Sequence, residues 1–146
     1  MKCLLQTSHD DLLTHIDAIL PKLVIACSYS KGKFKAEDII EQIKSNQMQM
    51  WLAFDRDNLD GFIITQILDY PRTKTLRIFC LMGVGVEGWK KFLTVINDWI
   101  PFVRQVEAWG KSLGCTLSEI ECPSTWELYL GNFGYNRAHV LLDREI

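Results

Sequence analysis

Apolar positions along the chain recur in two rhythms, and the places where one gives way to the other mark out its predicted elements. Residues 2–6 read as an opening strand, and Ser8 or His9 followed by Asp10 and Asp11 reads as a helix start with acid in its first turn. Leu12, Ile16, Ile19, Leu20 and Leu23 then fall on one helical face. Pro21 lacks an N–H and collides with the preceding turn, so it is expected to kink or divide that helix. After a loop at residues 28–34, a second helix is predicted with Ala36, Ile39, Ile40 and Ile43 inward and Glu37, Asp38, Glu41 and Lys44 outward. From Gln47 the period becomes that of strands. Residues 50–54 and 62–68 read as partners about a polar hairpin tip at 55–61, and a turn at 70–73 brings back a third strand, an antiparallel meander. Farther on, Trp89, Phe92, Leu93 and Ile96 share one helical face, and Pro101 is placed to open another helix. That helix carries Phe102, Val106, Trp109 and Leu113 and stops at Gly114. A strand at 116–122, a helix capped by a Ser124/Glu127 box and running to about Leu130, and a closing strand at 139–143 complete the chain. This order describes an α/β (α+β) mixed sheet with helices on both faces. With no internal repeat, linker or low-complexity stretch, residues 1–146 are expected to form a single domain.

Residues 75–89, TLRIFCLMGVGVEGW, are the stretch around which the rest is organised. An apolar run of strand length opens into glycines at 83, 85 and 88 and then into a helix. Glycines let backbone approach a ligand, and unpaired N–H groups at a helix start favour anionic oxygens, so this is a phosphate-site layout. Three glycines after a strand also make a plain turn.

Composition narrows the classes. The chain has 146 residues, 48% of them hydrophobic, which is the size of one domain with its own core. Its 16 basic and 18 acidic residues are interleaved at a net charge of -2, so no basic stripe points to nucleic acid. The five cysteines, Cys3, Cys27, Cys80, Cys115 and Cys122, include no Cys-x-x-Cys and sit mostly in apolar contexts, the usage of a reducing compartment. No signal-like start and no apolar run near ~18 residues is present, so a cytoplasmic protein without a membrane partner is expected. His9, His15 and His139 lack ligand spacing. The acidic hairpin tip has Leu59 and Asp60 where a calcium loop needs an oxygen ligand and a glycine, so no metal is expected.

The run MQMWLAFDRDNLDGFIITQILDYPRTKTLRIFCLMG, together with Gly114-Cys115, LSEIE, Trp126-x-Leu128-x-Leu130 and Gly134-Tyr135, resembles the GNAT N-acetyltransferase superfamily, and within it small acetyltransferase-like proteins of bacteriophages. The resemblance implies a fold that binds acetyl-CoA in a V-shaped opening between the fourth and fifth strands. It assigns Leu81, Met82, Gly83, Val84, Gly85, Val86 and Gly88 to the coenzyme. The superfamily's pyrophosphate turn reads Gln/Arg-x-x-Gly-x-Gly/Ala; Gly83 and Gly85 match its small positions, while Cys80 stands at the Gln/Arg position. Glu87 would repel a pyrophosphate unless it points away, and Lys90 and Lys91 either offset it or form a solvated face. Many relatives use a tyrosine as acid four residues before the glycine of a Gly-Phe pair. Here that position is Leu130, with Tyr129 about 100° round the helix, so either Tyr129 is the catalytic acid through a shifted helix or no tyrosine acts. The phage proteins carry Gly-Arg-x-Gly-Trp after the fifth strand, and Pro123 replaces the arginine.

Glu119 and Glu121, two apart on the predicted fifth strand and so on one face of it, are the candidate bases. Asp69 and Tyr70 are weaker ones, and Cys122 has no histidine near it in sequence to make it a nucleophile. Trp51, Tyr70, Trp126 and Tyr135 either line an acceptor groove or simply pack. Two readings stand. One is an acyl-CoA-dependent N-acetyltransferase acting on an unidentified amine or protein acceptor by direct attack. The other is a catalytically degenerate GNAT fold kept as a binding or phage virion interaction module, which the departures at Cys80, Leu130 and Pro123 favour.

Overall fold

The protein, seen here as a computed structural model, is described over residues 2–84 and 89–146, with backbone alone for 89–96. Its strands form one sheet in the order β1 (Lys2–Thr7), β2 (Gln49–Asp55), β3 (Asn58–Asp69), β4 (Lys74–Gly83) and β5 (Leu117–Ile120). The first four are antiparallel neighbours, and β5 joins β4 in parallel. Helices α1 (His9–Thr14), α2 (Ile16–Ser28) and α3 (Ala36–Lys44) precede the meander, and α4 (Trp89–Ser112) links β4 to β5. A 3-10 turn at Ser124–Trp126 leads into α5 (Glu127–Gly131).

The period-2 alternation of the strands sorts the core into two layers. Trp51, Ala53, Ile63, Leu76 and Ile78 pack with Trp99, Phe102, Val103 and Val106 of α4. Met50, Leu52, Phe62 and Ile64 pack with Leu12, Ile19, Leu23, Ile39 and Ile43 of the first three helices. The mixed sheet with helices on both faces is therefore as expected, and the meander strands read as near-continuous apolar runs because both faces are covered.

The start of the first helix agrees with the sequence reading, and several later elements differ from it. Ser8 caps α1, its Oγ accepting from the Asp11 N–H while Asp11 accepts from the Ser8 N–H, so the helix starts where expected. Donation from the Ser8 N–H, and next from the Ser8 hydroxyl, holds the Asp11 carboxyl below its ordinary range. The helical run then breaks at His15, and Pro21 lies inside an unbroken α2. An internal proline costs about 3 kcal/mol, but fully burying Ile19 and Leu23 on either side returns about 1.5–3 kcal/mol each. Pro101 likewise sits on the exposed side of a continuous 24-residue α4, whose Trp99, Phe102 and Val103 are buried beside it. The hairpin tip is shorter than expected: Asp55 pairs Asn58 across Arg56 (φ 56) and Asp57, because Leu59 already packs against the helix-side core. No capping bond joins Ser124 to the helix; Arg137 takes the Glu127 carboxylate instead. The expected strand at 139–143 is unpaired chain, with Leu142 86% exposed, tethered by Arg137 to Glu127 and by Lys31 to Asp143.

Gly61 fixes how closely α4 approaches the sheet. A Cβ there would lie 2.2 Å from the Met82 carbonyl and 2.5 Å from the Trp99 ring. Gly61→Ala is therefore expected to cost about 1–3 kcal/mol through overpacking, measured as a lower urea midpoint with an unchanged slope. Unaltered stability would mean that α4 is free to shift outward.

Candidate functional site

β4 is 10 residues long and β5 only 4. Parallel pairing joins Thr75, Leu76, Arg77 and Ile78 to Leu117, Ser118, Glu119 and Ile120, and stops there. The next residue of β4 is a bulge: Ile64 pairs with Cys80 and Thr65 with Ile78, leaving Phe79 without an opposite residue. This extra residue reverses the alternation of β4. Leu76 and Ile78 face α4, Phe79 and Cys80 both pack on the α1–α3 side, and Leu81 returns to the α4 side. A bulge bends its strand and increases the local twist, so β4 changes course at the step where β5 ceases to pair. From Phe79 to Gly83, roughly 16 Å of strand, the β5 side of β4 has no strand partner among the described residues.

Leu81, Met82 and Gly83 lie on this unpartnered stretch, still paired with β3 on its other side. The Val84 N–H donates to the Asp60 carbonyl at 2.9 Å, so it belongs to the sheet and is not free to grip an anion. Gly85, Val86 and Gly88, with Glu87, lie outside the described residues, as do the side chains of Lys90 and Lys91.

Glu119 sits on the paired stretch, one step before the strands part. Arg77 Nε donates to its Oε1 at 2.8 Å, and Nη2 lies 2.8 Å from the same oxygen. Glu121 is exposed and falls beyond β5, which ends at Ile120, so the expected common face does not extend to it. Tyr129 is 37% exposed on α5, while its neighbour Leu130 points into the core. Asp69 pairs with Lys74 at the opposite end of β4, and Tyr70 is exposed beside it. Of the four aromatics, Trp51 is buried and bonded through Nε1 to Thr65, Trp126 and Tyr135 pack against the same α4-side core, and Tyr70 is exposed at the far end of the strand.

Tyr135 closes the α4 side of β5. Its hydroxyl donates to Glu107 Oε1 at 2.6 Å and lies 2.7 Å from Ser118 Oγ, while Arg104 holds the other Glu107 oxygen at 2.8 Å and the Phe133 carbonyl at 2.7 Å. Burial, reinforced by the bond to Glu107, pushes the Tyr135 phenol above its ordinary range. Burial also pushes up the Cys80 and Cys122 thiols, so neither is poised as a thiolate nucleophile. The sequence reading missed Arg77 and the Phe79 bulge. A lone arginine between Leu76 and Ile78 in an apolar strand was the available signal for the first; nothing in the residue pattern marks the second.

Two open surface hollows, of about 470 and 520 Å³, lie beside α3 and α5 and include no residue of the β4–β5 opening. Among the described residues no cluster of His, Cys, Asp and Glu could hold a metal, and no helix is long and apolar enough to cross a membrane.

The fold as a whole has counterparts of known structure. AAC(6')-Iy in complex with the bisubstrate analog CoA-S-monomethyl-acetylneamine superposes with a TM-score of 0.69 at 12% identity, over 100% of this chain and 98% of that one. A predicted acetyltransferase with acetyl-CoA from Clostridium acetobutylicum gives 0.67 at 9% identity, over 99% and 96%. Glucosamine-6-phosphate N-acetyltransferase from Arabidopsis thaliana gives 0.64 at 13%, over 99% and 98%. The fold is that of the GNAT acetyltransferases. At such identities the likeness is one of GNAT architecture, and it extends over the whole chain. No protein-family model matches the sequence, and no curated protein matches it.

The Tyr135 network makes a prediction about this GNAT fold. With the phenol raised in the folded state, its stabilisation is complete below about pH 10, the unfolded value. It is lost as pH rises from there toward the folded value, because the unfolded chain releases its proton first. Tyr135→Phe is expected to lose about 1–3 kcal/mol near neutrality and to flatten the alkaline decline, measured by urea unfolding across that range. An identical decline in the variant would assign it to other groups.

Proposed function

We propose that the protein is an acyl-CoA-dependent N-acyltransferase, with acetyl-CoA as donor, a primary amine as acceptor and residues 1–146 acting as one GNAT-like unit. One observation carries this reading: β4 and β5 part after Ile78 and Ile120, leaving a stretch of β4 edge with no strand partner among the described residues. Unpaired N–H and C=O groups along such an edge are a template for an extended chain containing amides, and the pantetheine arm of CoA is one. Gly83, Gly85, Val86 and Gly88 would bring backbone close to the diphosphate, with Leu81 and Met82 flanking the arm. The donor supplies an activated thioester carbonyl. The chain's own contribution is position: holding an amine at near-attack distance removes several kcal/mol of barrier without a strong acid. Direct attack is favoured over an acyl-cysteine route because the Cys80 and Cys122 thiols are held protonated. Of the candidate bases, Glu119 lies nearest the parting, and Glu121 and Tyr129 would serve only from more exposed positions. The five free cysteines fit a reducing cytoplasm, that of the host if the chain is phage-encoded.

A second reading, a GNAT-fold binding or virion interaction module without transfer, is favoured by the burial of Leu130 where relatives place an acid and by the engaged Val84 amide.

Thermal melts separate the two. At about 100 times its dissociation constant, acetyl-CoA is expected to add roughly 2.7 kcal/mol and raise Tm, and a panel of primary amines is expected to accelerate CoA release. No Tm change at millimolar acetyl-CoA would overturn the transferase reading. A rise in Tm without amine-dependent release would leave the binding module.

A further inference from the structure

We infer that Arg77 is a positioning residue that holds Glu119 by one oxygen so that the other receives the ammonium group of a cationic amine acceptor, an inference that rests on the proposed transferase reading. The placement follows from the alternation of the paired stretch. Leu76 and Ile78 face α4, and their partners Ser118 and Ile120 face it too, Ser118 through Tyr135 and Ile120 through the core. Arg77 and Glu119, one residue along, therefore lie on the opposite side of the sheet.

At this level the α4 side is filled by Leu76, Ile78, Ile120 and the Tyr135 hydroxyl. On the other side Arg77 and Glu119 remain 35% and 31% exposed at their side chains, so a solute reaches the base of the opening there. The bonding also has a direction. An arginine and a carboxylate that only stabilise each other favour a fork–fork pair using both oxygens. Here Nε and Nη2 both address Oε1, and among the described residues no second donor to Oε2 is found. A half-exposed ion pair of this kind adds about 0–1 kcal/mol to stability, too little to explain it as a structural clasp.

In the step this serves, Oε2 of Glu119 binds the acceptor as R–NH3+ and accepts one of its protons. The freed nitrogen lone pair forms the N–C bond at the thioester carbonyl. The C–S bond breaks with its electron pair on sulfur, which takes a second proton from the nitrogen, and Glu119 returns its proton to solvent. The balance is amine cation plus thioester giving amide, thiol and one proton.

Arg77→Ala, Arg77→Lys and Glu119→Gln test the assignment, with acetyl-CoA as donor and spermidine and glucosamine as probe amines. The expected result is an acetyl-CoA melting shift retained in all three variants. The additional shift by spermidine is expected to be lost in Arg77→Ala and Glu119→Gln. The KM for the amine should rise by about tenfold to a hundredfold with a smaller fall in kcat, and Arg77→Lys should recover part of it. An unchanged amine KM in Arg77→Ala or Glu119→Gln overturns the inference. So does an Arg77→Ala variant that loses unliganded stability and the acetyl-CoA shift together, which marks a structural clasp. Wild-type protein that binds acetyl-CoA yet responds to neither amine overturns it while leaving the coenzyme reading in place. Wild-type protein with no acetyl-CoA shift removes both.

Discussion

β4 has two edges, and the sheet partners only one of them for its full length. Against β3 the ladder runs to Gly83 and is extended by the Val84 amide on Asp60, whereas against β5 it covers 4 residues. The crossover sets that length. α4 has 24 residues, about 36 Å of helix, and returns the chain past the whole of β4, so that Thr116 donates to Lys74 at the strand's beginning. β5 then pairs upward from there, and the Phe79 bulge turns β4 aside after the fourth step. No strand among the described residues partners the backbone groups of the far stretch, which must be satisfied elsewhere. Everything proposed about chemistry depends on that edge, which no described strand covers.

The two faces of the opening are unlike, and the proposed chemistry uses the difference. On the α4 side, Trp99 lies against Gly61, Leu130 enters the core, and Tyr135 ties β5 to Glu107, so that side is packed and fixed. On the other side the first three helices bury Met50, Phe62 and Ile64 but leave Arg77 and Glu119 half open. The proposed orientation of a small cation rests on this packed wall and the accessible carboxylate opposite it, and catalysis by orientation needs no activated thiol or tyrosine.

Most of the architecture was legible because burial on both faces makes strands read as apolar runs and helices as stripes; Ile39 and Ile43, or Met50 and Leu52, leave little choice. Proline misled at Pro21 and Pro101, where its missing hydrogen bond faces solvent and packed neighbours outweigh it. The tail misled in the other direction: Val140, Leu141 and Leu142 have strand composition, but they gain no ladder, and composition does not reveal whether an edge is within reach. Glu119 was singled out from spacing, yet its partner Arg77 lies 42 residues away and depends on a parallel register that no local pattern encodes. The same holds for Phe79, which becomes a bulge only through the register shift against β3.

The account turns on whether residues 79–84, which no described strand pairs on the β5 side, and residues 85–88 after them accept acetyl-CoA, and amide hydrogen exchange reads those residues directly. With saturating acetyl-CoA, peptides covering residues 79–88 are expected to gain protection, while those covering β1 and α3 exchange as before. Unchanged exchange at 79–88, or protection confined to a different part of the sheet, would contradict the central claim.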